Sequence, residues 1–241
     1  MVDDHSRAAR FLDSFHRVES LLAARLGSET QRLTFYELVR RSKDLTDQQK
    51  NRLRDIGDLR NAIVHAPGGW RQNPIADPRE DIVSWLETQV ELIERPPLVL
   101  TTLKLQPPRV LDSDSDLIVF LDQVRDQDFS QSPVRMPDGG LGLITTNAVT
   151  RWIASGYDEG VGVALAQAEI ADVLTFVEAE DQLVVKPRNL RVVEAVRLFA
   201  GAQRGSIPAA IVLTEDGKPE HKPIGICARA DVAELLQALG V

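Results

Sequence analysis

The stretch LRNAIVHAPGG at residues 59–69 puts Arg60, Asn61 and His65 close together, just ahead of a Pro-Gly-Gly breaker. An imidazole with an unperturbed pKa near 6.5 can take or give a proton around neutrality. A guanidinium is permanently protonated and offers a planar fork of donors to charge building up on oxygen. One reading of the two together is half of a nuclease active site. The plainer reading of His65 is a cation at a helix C-terminus, favourable to the macrodipole by about 0.3–1 kcal/mol. Few other groups compete for a catalytic role. The remaining histidines are His5 and His16, which lack metal-ligand spacing, and His221, which lies in the polar turn EDGKPEHK. The sequence contains no Gly-rich phosphate loop, nucleophile elbow or paired-carboxylate motif.

These residues need a helix to hold them. LTDQQKNRLRDIGDLRNAIVH starts with Thr46 as N-cap and Gln49 in the capping-box position, and APGG stops it. At about 100° per residue, Leu53, Ile56, Leu59 and Ile63 form an apolar stripe, with Arg60 inside or beside it. Arg54, Asp58, Asn61 and His65 form the opposite, polar stripe. An arginine on a core-facing stripe is costly unless it finds a partner or faces a second subunit. Arg60 and His65 are about 140° apart on a regular helix, so one helix cannot aim both at one phosphate. Either the last turn distorts before Pro67, which biases Ala66 out of the helical region, or residues of two copies combine.

The surrounding 95 residues read as further helices. Phe11, Phe15, Val18, Leu21 and Leu22 recur at helical spacing, and GSET can end that helix and start the next. RLTFYELVRRSKD follows as a short helix. PREDIVSWLETQVELIE begins with Pro78 near its first turn and ends at Arg95-Pro96-Pro97. Four helices on short loops predict an antiparallel bundle.

Within this part, RNAIVH fits the Arg-x4-His signature of the HEPN (higher-eukaryote-and-prokaryote nucleotide-binding) domain, a helical bundle, which residues 1–95 resemble. The resemblance implies a homodimer through the bundle, with two motifs meeting across a twofold axis, and RNA cleavage with no metal or other catalytic cofactor. His65 would then be general base on a ribose 2′-hydroxyl or general acid on the leaving oxygen, with Arg60 stabilising the phosphorane. Asn61 would fix the imidazole tautomer or hold a phosphate oxygen, and Asp58 would pair with Arg60 or His65. The competing reading is a non-enzymatic dimerisation bundle.

After the prolines the texture changes. PLVLTTLKL and RVLD read as strands, SDSDLIVFLDQVRDQ as a helix, SPVRMPDGGLGLITT as strand, tight turn and strand, and NAVTRWIAS as a helix. The order recurs from DQLVV onward, ending in the helix of ADVAELLQALGV. Ser132-Pro133-Val134 matches Ile207-Pro208-Ala209, and Gly142-Leu143-Ile144 matches Gly225-Ile226-Cys227. Two copies of one βαββα unit are expected, about 98–156 and about 170–241.

Residues 98–241 thereby resemble a tandem pair of cystathionine-β-synthase (CBS) domains. That family is marked by a small-Pro-hydrophobic step, an acidic-Gly turn and Gly-hydrophobic-hydrophobic-Thr-x-x-Asp. The resemblance implies a regulatory adenine nucleotide (AMP, ADP or ATP) between the repeats. Thr145 would meet phosphate, Asp231 would accept hydrogen bonds from ribose hydroxyls, and Pro133, Pro208, Gly142 and Gly225 would line the clefts. A carboxylate suits a diol because both hydroxyls can donate to it. Each repeat keeps half of the polar pair: Ala148 stands where the first carboxylate belongs, and Ala228 where the second hydroxyl belongs. The alternative is a pair of decayed clefts serving as scaffold.

The whole is expected to be an α plus α/β two-domain protein. At 241 residues, 43% hydrophobic and 27% charged, the chain has the composition of a globular protein. A lone Cys227 excludes an internal disulfide and Cys-rich metal sites. No apolar run reaches the roughly 20 residues of a membrane span, and the amino terminus lacks a signal-peptide core. No membrane association is expected, and the location expected is cytoplasmic. Net charge of −8 discourages a broad nucleic-acid surface and DNA binding. The charge is uneven: residues 32–60 carry 8 Lys+Arg against 5 Asp+Glu, a net of +3. Any RNA contact belongs to the first part, residues 1–95. The tryptophans at 70, 85 and 152 are expected as core or interface anchors.

Overall fold

The computed structural model describes residues 6–27, 33–64, 77–127, 129–158, 165–201 and 207–240. The chain divides into two compact units, Met1–Pro97 with Leu236–Val241, and Leu98–Leu235. The final residues, expected with the second part, cluster with the first.

The described residues of the first unit form four helices: α1 (Arg7–Leu26), α2 (Phe35–Arg41), α3 (Asp47–Val64) and α4 (Glu80–Glu94). The expected cap at Thr46 is present, and α2 carries one that the sequence reading did not single out. Thr34 and Glu37 close a reciprocal capping box at α2. Thr46 and Gln49 do the same at α3, with Gln49 N–H donating to Thr46 Oγ1 (3.2 Å) and Thr46 N–H to Gln49 Oε1 (2.8 Å). Pro78 falls one residue outside the N-cap of α4, Arg79. Phe11, Phe15, Val18 and Leu22 of α1 share a buried core with Leu53, Ile56 and Ile63 of α3 and Leu86, Val90 and Ile93 of α4. Trp85 packs against it, with the Arg52 guanidinium 4.3 Å above its ring.

The antiparallel expectation fails for the pair with the largest contact, α1 and α4. Arg7 pairs with Asp77, Arg10 with Glu80 and Glu87, and Arg17 with Glu94, so both helices ascend together. They are parallel neighbours. The antiparallel inference assumed short links, whereas fifteen residues separate Val64 from Glu80, ample length for the chain to return before α4 begins.

The second unit holds two three-stranded sheets of one design. The first has order β1-β2-β3 (Leu111–Asp112, Gln131–Arg135, Leu141–Thr145), and the second β4-β5-β6 (Leu183–Pro187, Ala210–Thr214, Gly225–Ala228). In each, the first pair is parallel and the second antiparallel. Helices α6 (Leu117–Gln127) and α7 (Thr146–Asp158) complete the first repeat, and α9 (Val192–Phe199) and α10 (Val232–Gln237) the second. The two repeats exchange their leading segments. Leu98, before α5 (Val99–Thr102), bridges to Arg191, and Val99 N–H donates to Leu190 O (3.0 Å). Glu169, before α8 (Ile170–Leu174), bridges back to Asp116, with Leu117 N–H on Ala168 O (2.8 Å).

Two expectations are corrected here. The run PLVLTT, read as a strand, contains α5, because a short apolar run has no periodicity to separate a strand from a buried helical turn. The proline match also shifts. Gly142 pairs with Val134, and Gly225 with Leu213. Aligned on the glycines, Pro133 therefore corresponds to Val212, and Pro208 lies four residues short of it. The chain from Leu213 to its partner Gly225 is four residues longer than that from Val134 to its partner Gly142, which conceals the offset in a linear comparison.

Candidate functional site

In the helical unit the polar chemistry gathers around the last two turns of α3. Gly57 makes this possible: a Cβ there would stand 3.2 Å from Phe35 Cδ1 and 3.2 Å from the Tyr36 hydroxyl, so α2 lies directly against the α3 backbone. The approach delivers a hydroxyl that sequence reasoning missed. Tyr36 OH donates to Asp58 Oδ1 (2.7 Å), and Asn61 Nδ2 donates to Tyr36 OH (3.3 Å). Arg60 Nη1 donates to Asn61 Oδ1 (3.3 Å), closing a chain Asp58–Tyr36–Asn61–Arg60. The Asp58 carboxylate that accepts the phenol's hydrogen bond pushes the Tyr36 pKa above its ordinary value, and partial desolvation adds to it.

Arg60 borders the core, as its place beside the apolar stripe implied. Its guanidinium carbon is 5.7 Å from the centroid of the buried Phe15 ring, a cation–π distance. These contacts lie within one chain, so the position of Arg60 does not by itself call for a second subunit. Asn61 and Asp58 are exposed on the opposite stripe. His65, which follows exposed Val64, lies outside the described residues, as do His5 and Trp70.

In the second unit the two halves of the Thr-x-x-Asp pattern have a local explanation. Thr145 Oγ1 accepts the Ala148 N–H (3.0 Å), and Asp231 Oδ2 accepts the Ala228 N–H (2.7 Å). A complete Thr-x-x-Asp makes both bonds at one helix start, so each repeat retains one half of a reciprocal cap. Thr145 is buried and its hydroxyl also donates to the buried Asp181 carboxylate (3.0 Å), which is paired with Arg151. Asp231 stays partly exposed. Beside it, the Cys227 thiol is pushed up to about 12, by burial first and then by the Asp231 carboxylate.

The remaining expected positions are structural at close range. Pro133 is buried inside β2, and Pro208 is buried ahead of β5, its carbonyl accepting from Arg229 Nε (2.9 Å). A Cβ on Gly225 would lie 2.9 Å from Leu105 Cβ, while one on Gly142 would meet the thioether of Met136 at 3.0 Å. Asp181, Arg151 and Arg229 carried no signal in the sequence, because their partners lie 21 to 49 residues away. Among the described residues no group of three or more His, Cys, Asp or Glu could hold a metal ion, and no helix is long and apolar enough to cross a membrane.

No protein-family model matches the chain, and no curated protein matches it. Solved CBS-domain structures do. The CBS domain of a CBS domain containing membrane protein from Sphaerobacter thermophilus is 18% identical, with a TM-score of 0.45 over 64% of this chain and 97% of that one. CBSX2 in complex with AMP is 13% identical, with a TM-score of 0.39 over 58% of this chain and 97% of that one. CbpB in complex with c-di-AMP is 13% identical, with a TM-score of 0.40 over 65% of this chain and 94% of that one.

Proposed function

We propose that the chain is a metal-independent endoribonuclease of HEPN type whose tandem βαββα unit senses an adenine nucleotide. The observation that carries the catalytic half is the chain Asp58–Tyr36–Asn61–Arg60, which holds a guanidinium in place five residues before His65. In this reading Arg60 stabilises the phosphorane formed when the RNA's own 2′-oxygen attacks phosphorus. His65 moves the proton, and the leaving 5′-oxygen departs to give a 2′,3′-cyclic phosphate. Asn61 positions Arg60 through its side-chain carbonyl, and the fixed phenol of Tyr36 positions Asn61. A homodimer through the helical unit would bring two such sites together.

The sensing half rests on Asp231, the carboxylate that remains partly exposed at the start of α10. One oxygen holds the Ala228 N–H, and ribose hydroxyls would donate to the carboxylate. Calorimetry with AMP, ADP, ATP and c-di-AMP tests it: at least one binds, and Asp231→Ala abolishes the heat. A wild type silent across that panel contradicts the sensing half. The second reading, a non-enzymatic protein in which the helical unit serves interaction alone, is favoured by the contact of Arg60 with Phe15, which gives the arginine a structural role.

A further inference from the structure

The start of α7 is built as an anion site, and an anion from the chain itself fills it. Asp181, only 4% exposed, comes from a single 3-10 turn at Ala179–Asp181, 36 residues beyond Thr145. Its Oδ1 accepts the Thr145 hydroxyl (3.0 Å), and its Oδ2 accepts the Glu178 N–H (3.3 Å) and pairs with Arg151 Nη2. Arg151 is anchored in turn by Phe176 O, 3.0 Å from its Nε, and lies 3.6 Å from Glu178 Oε2. A hydroxyl and a guanidinium are groups that recognise phosphate, and this hydroxyl caps the start of a thirteen-residue helix. Here they recognise a carboxylate.

We propose that Asp181 is the resident anion of the first repeat and bars phosphate from it. The inference rests on the assignment of the tandem unit to nucleotide binding, and deepens it: nucleotide enters at the Asp231 side alone, one per chain. A phosphate arriving at Thr145 would meet a buried negative charge already holding both donors, so the hydroxyl that marks the first repeat serves closure. The second repeat has no equivalent. Ala228 stands at the Thr145 position and Glu234 at the Arg151 position, so the donors that would retain an internal carboxylate are missing.

Chemical rescue tests this. Asp181→Gly leaves the donors without their anion, and Asp181→Asn keeps the shape without the charge. Thermal unfolding with and without pyrophosphate, alongside pyrophosphate calorimetry, reads the result. Pyrophosphate raises the midpoint of Asp181→Gly and binds it about tenfold or more tighter than wild type, as removal of an opposing charge requires, while Asp181→Asn, which still fills the place, gains less. Adding Thr145→Val or Arg151→Gln cancels the gain. Should Asp181→Gly fail to fold alone, refolding from urea with pyrophosphate reads the same rescue. Equal shifts in wild type and variants, or no rescue under any condition, overturn the proposal. The test is independent of the wild-type AMP measurement: silence there with rescue here removes only the sensing half of the function.

Discussion

A hydrogen bond from a phenol to a carboxylate favours the protonated phenol, and that sets a measurable property of the α3 site. Tyr36 and Tyr157 are the chain's two tyrosines, so phenolate absorbance on alkaline titration of a Tyr157→Phe variant reports Tyr36 alone. Its midpoint lies above the ordinary value, and Asp58→Asn brings it down toward that value. Because the folded pKa is the raised one, the contribution to stability is complete below the ordinary tyrosine pKa and is lost as pH rises through the folded pKa. An unshifted midpoint, or one indifferent to Asp58→Asn, breaks the chain that positions Arg60. At this scale the sequence was partly legible. Helical periodicity alone placed Arg60 beside the apolar stripe and Asp58 with Asn61 on the polar one. Tyr36 was not legible, since it reaches Asp58 through a close approach of two helices at Gly57. Thr145 and Asp231 were found by pattern, but their first duties are helix caps, which a Thr-x-x-Asp pattern encodes equally well.

The elements differ in how much room they leave. Gly225→Ala places a methyl 2.9 Å from Leu105 Cβ, an atom fixed to backbone, so the strand or α5 with its following loop must shift. Urea denaturation should show a loss of about 1–3 kcal/mol, the usual cost of overpacking. Gly142→Ala meets only the flexible Met136 thioether and costs less. Equal losses would mean that both glycines answer a backbone demand instead. The strand–turn–strand runs and the cap of α3 were readable, because alternation, turn residues and capping boxes are local signals. The parallel course of α1 and α4 was not, because helix direction depends on the length and path of the intervening chain. The offset between Pro133 and Pro208 was hidden likewise, since register is set by cross-strand pairing.

On the scale of the whole chain, the last residues complete the helical unit. Leu239 is buried, and its carbonyl accepts from the buried Gln49 Nε2 (3.0 Å), which also donates to Gln89 Oε1 (2.9 Å). Leu239→Ala should therefore lower the unfolding transition of the helical unit by about 2–5 kcal/mol, the range for emptying a core leucine site. A loss confined to the tandem unit's transition would contradict that placement. Composition foresaw two parts, yet no local signal announced that residues from the far end belong with the first. The proposed function is tested most directly by one assay, cleavage of RNA in EDTA. Wild type is predicted to cut RNA, to leave DNA and 2′-O-methylated RNA intact, and to produce 2′,3′-cyclic phosphate ends. Arg60→Ala and His65→Ala, shown folded by circular dichroism, should each be slower by about 10²-fold or more. Total cellular RNA left intact by the wild type, with and without the nucleotide found by calorimetry, would contradict the account.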